Sequence, residues 1–83
     1  MKALKFSASW CGPCKGLAIT IKGAEDKITT PIEDYDIDTC GSLSATWNVR
    51  SVPTMILLND AGAEVARKVG SMNEAELLKF LKG

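Results

Sequence analysis

The chain has 83 residues, ten basic and ten acidic side chains, and no histidine. That length suits one small domain, and the cancelled charge argues against nucleic acid as the main partner, because phosphate binding needs a basic face. The lack of histidine excludes Ser-His and Cys-His catalysis and every His-ligated metal site. No apolar run reaches the roughly eighteen residues of a membrane span, and no secretory leader is visible, so a cytoplasmic protein is expected.

The elements read off in chain order. Met1 to Ala8 is a short apolar run with strand-like alternation. Trp10-Cys11-Gly12-Pro13-Cys14 turns into a helix whose body spans Lys15 to Lys22, with Leu17, Ala18 and Ile21 on one face and Gly23 as its stop. Pro13 is tolerated there because a first-turn N–H has no intrahelical partner. The β-branched run Ile19-Thr20-Ile21 opposes helix formation. Pro31 to Asp38 reads as a second strand and Gly41 to Trp47 as a short helix, with Asn48 suited to a left-handed residue after it. Thr54 to Leu58 and Ala63 to Val69 flank the turn residues Asn59-Asp60-Ala61-Gly62 and predict a hairpin. Ser71-Met72-Asn73-Glu74 resembles a capping box before a last helix carrying Leu77, Leu78 and Leu81. The order β-α-β-α-β-β-α predicts an α/β fold. A helical crossover makes the first two strands parallel, and the sheet is four-stranded, mixed and flanked by helices.

Three cysteines remain: Cys11, Cys14 and Cys40. Three cannot form a fully paired disulfide framework, and an all-cysteine zinc site needs four thiolates. Cys11 and Cys14 form a C-x-x-C pair between a strand and a helix, the context in which that spacing points to redox chemistry. At a helix N-terminus the unpaired N–H groups and the macrodipole favour an anion, so the Cys11 thiolate is stabilised. Lys15 adds positive charge. Cys11 is the expected exposed nucleophile, attacking a substrate disulfide; Cys14, one turn deeper, attacks Cys11 and releases the reduced substrate. Gly12 and Pro13 shape the ring. Cys40 reads as an incidental small thiol or as a regulatory or dimer-forming one. Asp34, Asp36 and Asp38 share one face if the strand runs that far, but strand-end carboxylates facing solvent account for them without a metal.

At Trp10-Cys11-Gly12-Pro13-Cys14-Lys15 the sequence resembles the thioredoxin family. Trp47-Asn48-Val49-Arg50-Ser51-Val52-Pro53-Thr54 resembles the family segment that carries its cis-proline, Lys68-Val69-Gly70 the glycine-bearing end of its last strand, and Asp36-Ile37-Asp38 the end of its central parallel strand. The resemblance implies a thioredoxin fold, a cis Pro53 packed on the active-site disulfide, and Val52 offering main-chain hydrogen bonds to an extended substrate. Trp10, Gly12, Pro13, Val52, Pro53 and Gly70 would border the docking surface. It further implies a thioredoxin reductase-like flavoprotein as electron donor, disulfide-containing client proteins such as ribonucleotide reductase, and no bound cofactor.

Two departures stand out. The chain looks like a thioredoxin lacking the usual first strand and helix, close to the minimal fold shared with glutaredoxins, and a monomer is expected. The family's buried Asp, six residues before the first active-site cysteine, is here Lys5, while the family's facing Lys is here Asp34. An exchanged pair is expected, since neighbouring parallel strands put like-facing side chains side by side. Asp34 would then serve as the proton acceptor for Cys14, and Lys5 would favour the thiolates and make the disulfide more oxidising. The competing readings are a glutathione-coupled, glutaredoxin-like oxidoreductase and a non-enzymatic binding module on the same fold.

Overall fold

Alternation along Lys2–Ser7 builds the first strand, β1, because successive side chains serve opposite faces of a sheet. The computed structural model describes residues 1–83. After β1 come α1 (Gly12–Gly23), a single 3-10 turn (Glu25–Lys27), β2 (Ile32–Asp36), α2 (Gly41–Thr46), β3 (Thr54–Leu58), β4 (Glu64–Val69) and α3 (Glu74–Leu81). One four-stranded sheet has the order β2-β1-β3-β4. β1 and β2 are parallel; β3 runs antiparallel to β1, and β4 antiparallel to β3. The mixed four-stranded sheet, its parallel β1–β2 pair and its β3–β4 hairpin are as expected from the sequence; the central β1–β3 pairing comes from the structure alone.

Each face of the sheet has its own core. Leu17 of α1 and Leu77 and Leu81 of α3 pack with Met72 onto Ala3, Met55 and Leu57. Leu4, Phe6, Ile56 and Leu58 point the other way, toward Leu43, Trp47 and Val49 around α2. All five residues of β3 are buried, as befits an apolar strand covered on both faces. No helix is long and apolar enough to cross a membrane.

Several boundaries differ from the sequence reading. α1 runs from Gly12 with Cys11 as its N-cap, so Pro13 lies in the first turn ahead of the Lys15–Lys22 body, as expected. Gly23 is its last helical residue rather than a left-handed stop, and Ala24 follows with φ −107°. Ile19-Thr20-Ile21 does not break the helix: Ile19 stays exposed, and the Thr20 hydroxyl donates back to the Gly16 carbonyl at 3.1 Å. β2 ends at Asp36, not Asp38. The Asp36 carbonyl there accepts the N–H groups of Thr39 (3.1 Å) and Cys40 (2.7 Å), which turns the chain toward α2. Asn48 adopts φ +57°, as expected. The capping box sits two residues later than its sequence signature. Asn73 Oδ1 accepts the Glu76 N–H at 2.8 Å, and Glu76 Oε1 accepts the Asn73 N–H at 3.1 Å. Met72 is buried in the core, so the chain is still descending onto the sheet at Ser71 and the helix begins only beyond Met72.

Candidate active site

Both parallel strands run toward one end of the sheet, and α1 begins there. Cys11 occupies the N-cap in extended geometry (φ −91°, ψ 112°), and its sulfur accepts the Cys14 N–H at 3.1 Å. The two cysteines form a disulfide with their α-carbons 5.3 Å apart. When the bond is reduced, the same N–H and the helix N-terminus stabilise a Cys11 thiolate. Pro13 lies in the first helical turn, where its missing N–H costs nothing.

Facing the disulfide is the loop before β3. The Val52–Pro53 bond is cis, as the resemblance implied. Cys11 Sγ lies 3.7 Å from the Val52 carbonyl oxygen. Neither the N–H nor the carbonyl of Val52 takes part in a backbone hydrogen bond, so an extended segment can pair with it. Pro53 is buried, and its carbonyl accepts the Gly70 N–H at 2.9 Å. Gly70 holds φ +99°, the left-handed region that favours glycine. The structure thus gathers Cys11, Cys14, Val52, Pro53 and Gly70 at one edge, with Gly12 and Pro13 exposed beside them. Cys11 departs from expectation: it is 5% exposed, close to the 3% of Cys14. Ala8, Ile37 and Val52 pack around the two cysteines.

Trp10 is 66% exposed, and its indole Nε1 donates to Asp38 Oδ2 at 3.0 Å. Asp38 falls in the turn after β2, so it does not share a strand face with Asp34 and Asp36. Its partner is the active-site tryptophan, a contact that no sequence spacing announces.

Lys5 and Asp34 are opposite each other in the β1–β2 register, and Lys5 Nζ lies 2.8 Å from Asp34 Oδ1. The exchanged pair therefore forms. The open recess of about 200 Å³ beside Cys14 is lined by Ser7, Ala8, Ser9, Lys15 and Asp36, not by Asp34.

Arg67 of β4 anchors the segment that leads to Val52, and the sequence did not single it out. Its guanidinium donates to the Trp47 carbonyl at 2.7 Å and the Asn48 carbonyl at 3.4 Å. It also grips Glu64 through two hydrogen bonds of 2.9 and 2.8 Å. This ties the start of the Val52-bearing loop to the sheet. The charge-assisted bond from Arg67 holds the Glu64 carboxyl below the usual carboxylate range.

The Thioredoxin family model matches residues 2–83. The chain belongs to the thioredoxin family. Among its relatives, the thioredoxin of Mycolicibacterium smegmatis is 42% identical over 80 residues, covering 92% of this chain and 70% of that protein. A bifunctional thioredoxin reductase/thioredoxin of Mycobacterium leprae is 37% identical over 78 residues, covering 92% of this chain but 17% of that protein. A mutant thioredoxin from Halobacterium salinarum superposes with a TM-score of 0.88 at 30% identity, over 96% of this chain and 70% of that one. Like other thioredoxins, the chain is a dithiol–disulfide oxidoreductase whose redox pair is Cys11 and Cys14. Thioredoxins work with a thioredoxin reductase and with disulfide-bearing clients.

Proposed function

We propose that residues 1–83 act as one catalytic domain, a cytoplasmic monomer that reduces protein disulfides. Electrons come from a thioredoxin reductase-like flavoprotein, and ribonucleotide reductase is a fitting client. The observation that carries this reading is the Cys11–Cys14 disulfide at the N-terminus of α1, set 3.7 Å from a Val52 carbonyl whose backbone partners are free. A client strand pairs with Val52, and its disulfide comes to lie against Cys11. The Cys11 thiolate attacks one client sulfur and displaces the other. Cys14 then attacks Cys11 in the mixed disulfide, releasing the reduced client and closing the Cys11–Cys14 bond. Trp10, Gly12, Pro13, Pro53 and Gly70 shape the docking edge, and Lys5 supplies positive charge beneath the thiols.

The test is the reduction potential of the Cys11–Cys14 pair, followed by tryptophan fluorescence in dithiol redox buffers, alongside turnover with NADPH and reductase against turnover with glutathione. A value near about −270 mV, the reference value for thioredoxins, with turnover by the reductase supports the proposal. A value near about −200 mV with glutathione-driven turnover assigns a glutaredoxin-like role instead. Client binding that survives loss of both thiols, with no turnover in either system, assigns a binding module.

A further inference from the structure

For Cys14 to attack, its proton must leave, and both cysteines are almost wholly enclosed. Cys14 borders one opening, the recess of about 200 Å³ shared with Ser7, Ala8, Ser9, Lys15 and Asp36. We propose that Asp36, rather than Asp34, takes the proton of Cys14 through this recess when the mixed disulfide is resolved. The reading rests on the two-cysteine reaction above.

Three observations carry it. First, Lys5 pairs with Asp34 and Ser7 with Asp36 in the parallel register, so the two carboxylates follow each other on one face. Strands rise about 3.3 Å per residue, which puts Asp36 about 7 Å further toward the end where α1 begins. Second, the charge of Asp34 is already committed to Lys5 at 2.8 Å. Third, Asp36 is held in a fixed pose. Its Oδ1 accepts the Asp38 N–H at 2.8 Å, its carbonyl accepts three donors from Thr39 and Cys40, and Asp38 is itself anchored to Trp10. One carboxylate oxygen is thereby oriented, and the other remains available to a water in the recess.

Besides Asp36 and Cys14, the titratable side chain lining this opening is Lys15 of α1; Lys5 and Asp34 face each other two residues further back in the β1–β2 register, and Asp38 in the turn after β2 is held to Trp10. The step balances without an added reagent. Cys14 loses its proton to the Asp36 carboxylate by way of water. The new thiolate attacks the Cys11 sulfur, the Cys11–client bond breaks, and the client leaves as a thiolate. Asp36 returns the proton to that thiolate or to solvent, so one disulfide is exchanged for another.

Asp36→Asn separates a proton acceptor from a simple charge, because the two roles predict opposite changes. Removing a negative charge beside Cys14 favours its thiolate and speeds closure if the effect is only electrostatic. Removing a proton acceptor slows it, and general-base contributions reach about a hundredfold or more. The asparagine Oδ1 still accepts the Asp38 N–H, so the turn is kept. We would mix reduced protein with a peptide disulfide by stopped flow and follow closure of the Cys11–Cys14 bond across pH. The expected result is closure slowed about tenfold or more near neutral pH, with the deficit vanishing at alkaline pH, where Cys14 ionises unaided. Asp36→Glu, which keeps the carboxylate, should recover much of the rate. The proposal is overturned by a profile that superimposes on wild type, by faster closure, by a loss uniform across pH, by no recovery in the glutamate variant, or by Asp34→Asn reproducing the pH-dependent deficit. If wild-type protein reduces no disulfide, the oxidoreductase reading fails first and independently.

Discussion

Lys5 and Asp34 meet at 2.8 Å across β1 and β2, yet the lysine side chain is 9% exposed and the aspartate 65%. The lysine charge is nearly desolvated and depends on that one carboxylate; the carboxylate keeps most of its water. Removing the two partners is therefore not equivalent. Asp34→Asn leaves a buried ammonium with a weaker partner and should cost about 1–3 kcal/mol. Lys5→Met removes the charge, keeps the volume and should cost less, as replacements of buried charges by apolar residues often do. Urea unfolding measures both, and an Asp34→Asn midpoint equal to wild type would remove the asymmetry.

A second expectation concerns Arg67. It joins Trp47, Asn48 and Glu64, so Arg67→Ala should cost about 1–2 kcal/mol from lost charge-assisted bonds. It should also slow client reduction, because the segment leading to Val52 loses its tie to β4. Glu64→Gln should cost less, since the carbonyl bonds of Arg67 survive it.

The Glu64 carboxyl also sets a pH dependence. Arg67 depresses it relative to the unfolded chain. The stabilisation is therefore present above the unfolded-state value and is lost as pH falls through the lower folded value. Glu64→Gln should flatten the acid limb of a stability-against-pH curve below about pH 5 and leave the neutral-to-alkaline limb unchanged. Because both side chains are about a third exposed (28% and 34%), the effect should be at most about 1 kcal/mol. An acid limb identical in both proteins would show the pair to be thermodynamically silent.

Gly70→Ala isolates a backbone effect. No atom lies within 4 Å of the position a Cβ would take, but φ is +99°. The cost should be about 1–3 kcal/mol, from conformation alone. The Gly70 N–H holds the Pro53 carbonyl, so client reduction should weaken as well. A thermal midpoint unchanged in Gly70→Ala would mean the backbone adapts freely.

The position of the α3 cap is testable in one pair of variants. Asn73→Ala should cost about 1 kcal/mol by removing the cap bond to Glu76. Ser71→Ala should fall within about 0.5 kcal/mol of wild type, as surface changes usually do. The reverse ranking would restore the cap to Ser71.

Much of this protein is local and was legible from residues alone. Alternation and helical spacing identified the four strands and three α-helices, though not the 3-10 turn at Glu25–Lys27; the C-x-x-C pair named its own chemistry, and Asn48 announced a left-handed residue, because each signal lies within a few neighbouring positions. The Lys5–Asp34 contact was also legible, because the family resemblance matched those two positions to a facing pair and neighbouring parallel strands set like-facing side chains side by side. What the sequence could not decide depended on distant segments meeting. The Asn73 cap was set by Met72 entering the core. The early end of β2 was set by the turn closing on the Asp36 carbonyl, and that turn sent Asp38 to Trp10 instead of the strand face. Arg67 reached Trp47 and Asn48 only because β4 packs at the sheet edge beside α2. The burial of Cys11 comes from Ala8, Ile37 and Val52 converging from three separate loops, and the recess that joins Cys14 to Asp36 comes from Ser7, Ala8 and Ser9 meeting α1 and the end of β2. Spacing along a chain determines what each segment can be; which carboxylate stands beside which thiol is decided by how the segments pack.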